Sequence, residues 1–255
     1  MARVICVANQ KGGVGKTTTA VNCAASLAVS EKRVLLVDMD PQGNATSGVG
    51  VEKGDLDKSI YDAVINSVDP ASIIKPTEIS HLFLLPAMPD LAGAELELIE
   101  ISDREKQLKK VLSKLRNDYD FIIIDSPPSL GLLTVNAMAA SDSLLIPLQC
   151  EFYAMEGLSQ ILHTLKLVQR SLNPALKLEG ILLTMFDIRN NLSRQVKDEI
   201  TKHFGDVVFN TIIPRNVRLS EAPSYGKPII LYDIMSKGAV SYLDMANELL
   251  KREGL

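Results

Sequence analysis

Short apolar runs alternate with longer amphipathic segments along the chain. The runs are rich in Val and Ile and are bounded by Pro, Gly, Asp or Asn, a pattern typical of strands buried on both faces. They occupy residues 3–8, 33–38, 82–87, 121–125, 143–148, 178–186 and 207–214. Helical spacing covers residues 16–30, 103–117, 154–172, 191–204 and 236–252. This alternation predicts an α/β fold, in which a mostly parallel, twisted sheet carries helices on both faces.

The sequence contains no repeat, low-complexity tract or Pro/Gly/Ser-rich linker that would divide its 255 residues. We therefore predict one domain over residues 1–255. Residues 50–80 are the least patterned part, and we expect a loop there that leads into a short helix. Three widely spaced cysteines suggest neither a zinc site nor a disulfide framework, and the apolar run at the N-terminus is too short for a signal peptide. A cytoplasmic location is the prediction that fits.

The segment NQKGGVGKTT, residues 9–18, follows the first predicted strand and begins the first predicted helix. Its glycines let backbone amides approach a phosphate closely, and the helix N-terminus adds a positive potential. Lys16 would pair with the β- and γ-phosphates, while the Thr17 hydroxyl would bind Mg²⁺. The usual G-x-x-x-x-G-K-[ST] spacing requires glycine where Gln10 stands, and a second lysine, Lys11, follows it.

Acidic residues end two of the predicted strands. Asp38 and Asp40 lie two positions apart in LLVDMDPQGN, and Asp125 ends FIIID. The carboxyl ends of strands line the ligand crevice in α/β sheets, so Asp125 is suited to hold Mg²⁺ through water and Asp40 to orient an attacking water. Asp40 is also a possible metal ligand. Each of the three carboxylates has an alternative role as a cap of a helix or turn.

Five motifs together resemble the ParA family of DNA-partition ATPases, in its short chromosomal, Soj-like form. They are KGGVGKTT, DMDPQGNAT, DSPPSLG, CEFYAMEGLSQ and IPRNVRLSEAPSYGKPI, and the similarity runs from residue 3 to about residue 250. The resemblance implies a single deviant-Walker-A P-loop ATPase domain that binds ATP and Mg²⁺ and hydrolyses ATP slowly, as a molecular switch in chromosome or plasmid partitioning. It further implies an ATP-dependent homodimer, binding to double-stranded DNA without sequence preference, association with the nucleoid, and a ParB-type DNA-site-binding partner that stimulates hydrolysis.

The same resemblance assigns roles to individual residues. Lys11 would reach the phosphates bound to the other subunit of a face-to-face dimer, and Glu151 would contact the neighbour's nucleotide. Pro214 and Asn216 fall where the family contacts adenine. The implied nucleotide contacts are Lys11, Gly12, Gly13, Val14, Gly15, Lys16, Thr17, Thr18, Glu151, Pro214 and Asn216, and the implied catalytic residues are Lys11, Lys16 and Asp40.

Charge is mildly polarised toward the C-terminal third. Residues 177–227 hold eight Lys and Arg against six Asp and Glu, whereas the whole chain has a net charge of −4. DNA binding by this segment would rest on backbone phosphates without base readout. The candidate contacts are Arg189, Arg215 and Arg218, followed by Lys197 and Lys202. A slightly basic, solvated face is the alternative interpretation.

A membrane-associated positioning ATPase of the MinD type is the alternative function. It requires a C-terminal amphipathic helix with a basic polar face and a bulky apolar face. The segment SYLDMANELLKREGL has apolar residues at helical spacing, but Asp244, Glu248 and Glu253 offset Lys251 and Arg252. A closing helix of the core is therefore predicted, with no membrane partner. An iron–sulfur carrier is set aside because DSPPSLGLL contains no cysteine.

Overall fold

The apolar runs form one seven-stranded sheet in a computed structural model that describes residues 1–254. The strands are β1 Arg3–Val7, β2 Val34–Asp38, β3 Lys75–Pro76, β4 Leu82–Leu85, β5 Phe121–Asp125, β6 Ser143–Gln149 and β7 Lys177–Thr184. Their order is β3-β4-β2-β5-β1-β6-β7, and only the short edge strand β3 runs antiparallel to its neighbour. The predicted mostly parallel α/β sheet is confirmed.

Helices cover both faces of the sheet. They are α1 Lys16–Val29, α2 Asn44–Gly48, α3 Ile60–Val64, α4 Leu91–Glu97, α5 Gln107–Ser113, α6 Leu132–Ala140, α7 Ala154–Ser171, α8 Asn191–Phe204, α9 Val217–Glu221, α10 Ile229–Tyr232 and α11 Lys237–Arg252. The predicted helix over 103–117 is shorter than expected, a 3₁₀ turn at Arg104–Lys106 followed by α5. Residues 50–80 contain the expected loop and short helix, α3, and also the unpredicted strand β3.

The buried strands divide the core into two apolar layers. Successive side chains of a strand point to opposite faces, so Val4 and Cys6 of β1 pack into one layer while Ile5 and Val7 pack into the other. Residues of α1 and α11 belong to the second layer. This two-sided burial explains why the central strands consist of continuous apolar residues and do not alternate with polar ones.

The prediction of a strand over residues 207–214 is wrong. This segment runs beside β7 but makes only isolated bridges, at Val208 and Pro214. Between them, the backbone N–H groups of Asn210 and Thr211 donate to the carboxylate of Glu248 on α11, at 2.8 and 2.9 Å. A side chain therefore replaces the strand partner, and the ladder is interrupted where the apolar pattern predicts that it continues.

Candidate functional site: a phosphate loop beside buried carboxylates

The glycine loop joins β1 to α1 at the carboxyl edge of the sheet. Gly13 and Gly15 adopt left-handed backbone conformations, with φ of 75° and 85°, which side chains disfavour. Buried Asn9 fixes the start of the loop, because its amide donates to the Pro147 carbonyl at 2.8 Å and its side-chain oxygen accepts the Lys11 N–H at 3.1 Å. The loop is thus preformed in the strand–loop–helix arrangement that anion binding requires.

Lys16 is almost fully buried at the first turn of α1, with only 7% of its surface exposed. Its ammonium donates to the Lys11 carbonyl at 3.0 Å, which holds it under the loop. Burial lowers the pKa of Lys16, while the negative charges of Asp125 and Asp40 oppose that change. The side chain therefore lies between the glycine loop and the two predicted catalytic and metal-binding carboxylates.

Asp38 organises the segment that follows β2. One of its oxygens accepts the Asp40 N–H at 3.1 Å, and the other accepts the N–H and hydroxyl of Thr46, both at 2.8 Å. Burial raises the pKa of Asp38 to about 6, although these hydrogen bonds oppose the rise. The Thr46 hydroxyl also accepts the Ala87 N–H at 3.0 Å. Asp38 therefore has the turn-capping role that is the alternative in the sequence analysis, and it fixes the backbone that carries Asp40.

Asp40 lies just beyond the end of β2 and is 7% exposed. One of its carboxylate oxygens accepts the Gln42 N–H at 2.9 Å, which gives the side chain a defined orientation. This hydrogen bond is the turn-capping contact that is the alternative role for Asp40 in the sequence analysis. It engages one oxygen and leaves the other as the acceptor that a water molecule requires.

Asp125 is the most unusual group of the site. It lies opposite Asp38 in the register of β5 and β2, and both of its carboxylate oxygens are buried without a hydrogen-bond partner. Burial, and then the charge of Asp38, raise the pKa of Asp125 well above its ordinary range. The Thr17 hydroxyl and the Lys16 ammonium oppose this rise, but neither lies in hydrogen-bonding geometry.

The donor set fits a magnesium ion bound together with phosphates. Mg²⁺ takes oxygen ligands and keeps several waters, so Thr17 and a water held by Asp125 are sufficient protein contributions. Among residues 1–254, no three His, Cys, Asp or Glu side chains converge as a metal site. The remaining ligands would therefore come from water and phosphate oxygens, and the orphan carboxylate of Asp125 would gain partners.

A cavity of about 300 Å³ opens beside the loop and could accept a planar base. Its lining includes Gly15 and Thr18 together with Pro214, Arg215 and Asn216. The two residues that the family resemblance assigned to adenine thus lie next to the phosphate loop, although about 200 residues separate them along the chain. The Asn216 side chain itself caps α9 by accepting the Arg218 N–H at 2.8 Å.

Lys11 and Glu151, both predicted to act across a dimer, form an ion pair within one chain. Their side chains are 39% and 32% exposed, so the pair lies at the rim of the site. The adjacent Phe152 and Tyr153 are 75% and 62% exposed, and their rings meet edge to face. This rim therefore has exposed aromatic surface beside a charge pair, and aromatic side chains are enriched where proteins meet one another.

The candidate DNA contacts fall into two groups. Arg189 and Arg215 lie on neighbouring loops joined by the Phe186–Pro214 bridge, and Arg218 follows on α9. Lys197 and Lys202 are on α8, where Lys197 borders a different cavity, lined also by Phe209 and Arg252. The five side chains therefore come from three segments: the loop before α8, α8 itself, and the segment that leads into and begins α9.

Two of these arginines are paired with carboxylates of the same chain. Arg189 is 86% exposed and donates both its Nε and Nη2 to Asp187, at 2.9 and 2.8 Å, which lowers the pKa of Asp187 to about 2. Arg218 bonds Glu221 at 3.0 Å and lies 3.5 Å from Asp233. Within residues 1–254, Arg215 has no carboxylate at ion-pair distance.

Comparison with known proteins identifies the family. A family model described as an AAA domain matches residues 2–178. The chain is 59% identical to the chromosome partitioning protein ParA of Myxococcus xanthus, over 99% of this chain and 89% of the relative. It is also 59% identical to the sporulation initiation inhibitor protein Soj of Bacillus subtilis, over 98% of both. The chain belongs to the ParA/Soj family of partitioning ATPases. The chromosome-partitioning ATPase Soj of Treponema pallidum is 50% identical over 100% of this chain and 99% of the relative.

Solved structures of similar proteins agree with the ParA/Soj fold and with the predicted cofactors. Cobyrinic acid a,c-diamide synthase from Mycobacterium smegmatis, solved with an ATP analogue and magnesium, is 40% identical with a TM-score of 0.87, over 100% of this chain and 96% of that one. A putative plasmid partition protein from Borrelia burgdorferi bound to AMPPNP is 26% identical with a TM-score of 0.84, over 99% and 100% of the two chains.

The C-terminal helix has its apolar face in the core. Ala246 and Leu249 of α11 are fully buried, and Leu243 and Leu250 pack against the same layer. The predicted closing helix is confirmed, and the apolar positions that a MinD-like membrane anchor would use are occupied by internal contacts. None of the helices within residues 1–254 has the length and hydropathy needed to cross a membrane.

Replacing Asp125 by Asn should stabilise the protein while it is free of nucleotide. The substitution removes a buried carboxyl group that has no hydrogen-bond partner and whose ionised form is disfavoured by burial, and we expect the free energy of unfolding at neutral pH to rise by about 1–3 kcal/mol. Added ATP and Mg²⁺ should stabilise the variant less than the parent, since the carboxylate that would hold the metal water is gone. Thermal and urea unfolding, with and without ATP and Mg²⁺, measure both effects.

Asp38→Asn is the matched control for this substitution. Asp38 is equally buried, but its oxygens accept three hydrogen bonds, so an amide NH₂ would face donors and the protein should lose stability. Destabilisation by both substitutions would show that Asp125 is satisfied in the folded chain and would contradict our interpretation.

Proposed function

We propose that this chain is an ATP-driven partitioning switch, whose ATP-bound form is a sandwich dimer that binds DNA without sequence preference. The observation that carries the proposal is the convergence of Lys16, Asp40 and Asp125 around a preformed glycine loop, with Lys11 at its rim. We propose a single ATPase domain over residues 1–255, working in the cytoplasm on the nucleoid.

Nucleotide binding rests on the loop and the adjacent cavity. Backbone amides of Gly12 to Thr18 and the Lys16 ammonium would bind the phosphates, while the base would enter the cavity beside Pro214 and Asn216. Mg²⁺, held by Thr17 and a water on Asp125, would neutralise the phosphate charge. Because the loop is preformed, little rearrangement would be needed to load the nucleotide.

Hydrolysis would depend on Asp40. Its backbone is held by Asp38 and one oxygen by the Gln42 N–H, so the other oxygen would orient a water molecule toward the γ-phosphate and accept its proton. Lys16 would stabilise the charge that develops on the phosphate oxygens. Loss of the γ-phosphate then removes the anion that holds two subunits together.

Dimerisation would be sensed by Lys11. In the single chain its charge is met by Glu151, and in the dimer the partner's phosphates would compete for it. The exposed Phe152 and Tyr153 would add apolar contact area to the same face. A ParB-type DNA-site-binding protein would act on this dimer and stimulate hydrolysis, which returns the protein to the monomer.

DNA binding would use the arginines near the base cavity. Arg215 has no carboxylate at ion-pair distance within residues 1–254, and Arg189 is almost fully exposed despite its pair with Asp187. A symmetric dimer presents each group twice, and phosphate contacts add. Lys197 and Lys202 on α8 would be the weaker contacts.

Substituting Asp40 by Ala should separate ATP binding from hydrolysis. We expect ATP to bind normally and the dimer to accumulate, whereas phosphate release should slow by about 100-fold or more because the group acts only in the reaction. The measurement is phosphate release at saturating ATP, with the exposed Asp57→Ala as control. Release at the parent rate would remove Asp40 from the catalytic group.

Substituting Lys11 by Ala should separate binding from assembly. The monomer's affinity for ADP should change by no more than about twofold, since Lys16 and the loop amides remain. Dimerisation with ATP and DNA binding should be lost together. Light scattering with ADP, ATP and a non-hydrolysable analogue tests this, with the exposed Lys58→Ala as control. An ATP-dependent dimer of Lys11→Ala would contradict the role across the dimer.

Arg189→Ala and Arg218→Ala should each weaken DNA binding and leave ATP-dependent dimerisation intact. The logarithm of affinity for duplex DNA falls with the logarithm of salt at about −0.9 per phosphate contact. Each substitution should flatten that slope by about two contacts per dimer, because symmetry duplicates the change. Affinities for two unrelated duplexes across a salt series give the slope and the sequence preference.

Asp187→Asn is an opposite-sign control for the arginine substitutions. Removing the carboxylate that neutralises Arg189 should strengthen DNA binding and steepen the salt dependence. Sequence-selective binding by the parent, or unchanged slopes in all three variants, would place the DNA surface elsewhere.

A further inference from the structure

Thr184 ties the last strand of the sheet to the phosphate loop. It is the final residue of β7 and is 2% exposed, and its hydroxyl donates to the carbonyl of Val14 at 2.9 Å. Val14 is itself 1% exposed, and the hydrogen bond to its carbonyl is buried. This bond joins positions that are 170 residues apart.

The bond fixes the direction of the peptide group between Val14 and Gly15. A peptide unit is planar and trans, so its C=O and N–H point in opposite directions. With the Val14 carbonyl held by Thr184, the Gly15 N–H points away from the end of β7. Gly15 has a left-handed φ of 85° immediately before α1, where backbone N–H groups are available to an anion.

Contacts of the two residues after Thr184 fix the backbone beside its hydroxyl. Met185, the next residue, has a φ of 49°, a region that costs energy for any residue other than glycine. Its terminal methyl carbon lies 3.8 Å from the position that a Cβ on Gly15 would take. Phe186 then bonds the neighbouring segment in both directions, through the Ile213 carbonyl and the Arg215 N–H, at 3.1 and 3.0 Å. The sharp turn at Met185 is therefore braced from both sides.

We propose that Thr184 is a positioning residue for nucleotide binding, which acts by aiming the Gly15 N–H at the β-phosphate. The proposal rests on the proposed function, in that the loop must bind a nucleoside diphosphate or triphosphate. The preceding residues of β7, Ile181 to Leu183, are aliphatic and buried. Thr184 is equally buried but has a hydroxyl, and this hydroxyl is the group on which the proposal rests. A valine would fit the same space and lack the donor.

The test compares ADP with AMP, which lacks the β-phosphate. Calorimetry measures ADP binding, and displacement of a fluorescent ADP analogue measures AMP. In Thr184→Val, ADP affinity should fall by about two- to tenfold, the range expected for one hydrogen bond, while AMP affinity stays at the parent value. Thr184→Ser keeps the hydroxyl and should restore the parent ratio of ADP to AMP affinity. If Thr184→Val does not fold, Thr184→Cys, whose thiol is a weak donor, takes its place.

The outcomes separate this inference from the proposed function. A parent protein that binds neither nucleotide would overturn both. A parent that binds ADP, together with a Thr184→Val variant whose ADP-to-AMP ratio is unchanged, would overturn only the positioning role. A variant that loses ADP and AMP affinity equally, with a lower melting temperature, would show that Thr184 acts on stability alone and would also overturn it.

Discussion

Burial of unlike charges at one edge of the sheet is the constraint on which the site depends. Parallel strands β2 and β5 end side by side with Asp38 and Asp125, and α1 begins opposite them with Lys16. Asp38 and Asp125 are fully buried and Lys16 nearly so, and a buried polar or charged group is costly unless the protein or a ligand provides a partner. Asp38 finds three protein donors, whereas Asp125 finds none. The difference marks Asp125 as the group that a bound metal and its water would complete.

The phosphate loop is held mainly by residues remote in sequence. Asn9 anchors its start to the Pro147 carbonyl of β6, and Thr184 anchors its end from β7. The strands that hold the loop also lead into the segments with Glu151, Arg189 and the base cavity. The same two strands therefore connect the phosphate loop to the candidate dimer contact at Glu151 and to the candidate DNA contact at Arg189, each within five residues of the strand end.

The sequence predicts the parts of this architecture that are encoded locally. A run such as FIIID must be buried on both faces, and a glycine loop between a strand and a helix has few alternatives. Contacts between distant residues are not predictable in this way. Glu248 lies 37 residues from Thr211, yet it converts an apparent strand into an irregular segment. The same holds for the hydrogen bonds that Thr46 makes with Asp38 and Ala87 and for the ion pair between Lys11 and Glu151. No local spacing in the sequence predicts these contacts.

The ion pair between Lys11 and Glu151 has a consequence for the energetics of switching. Lys11 is already paired with Glu151 in the free subunit. Its contribution to assembly is therefore only the difference in interaction free energy between the partner's phosphates and Glu151. In the proposed symmetric dimer that exchange would occur twice, so a small deficit per subunit would be doubled in the free energy of assembly. ADP carries less negative charge than ATP, so it would attract Lys11 less strongly away from Glu151 in both subunits. The ion pair would thus increase the difference between ADP and ATP in their ability to support dimerisation, and it would do so without a further protein contact to the γ-phosphate.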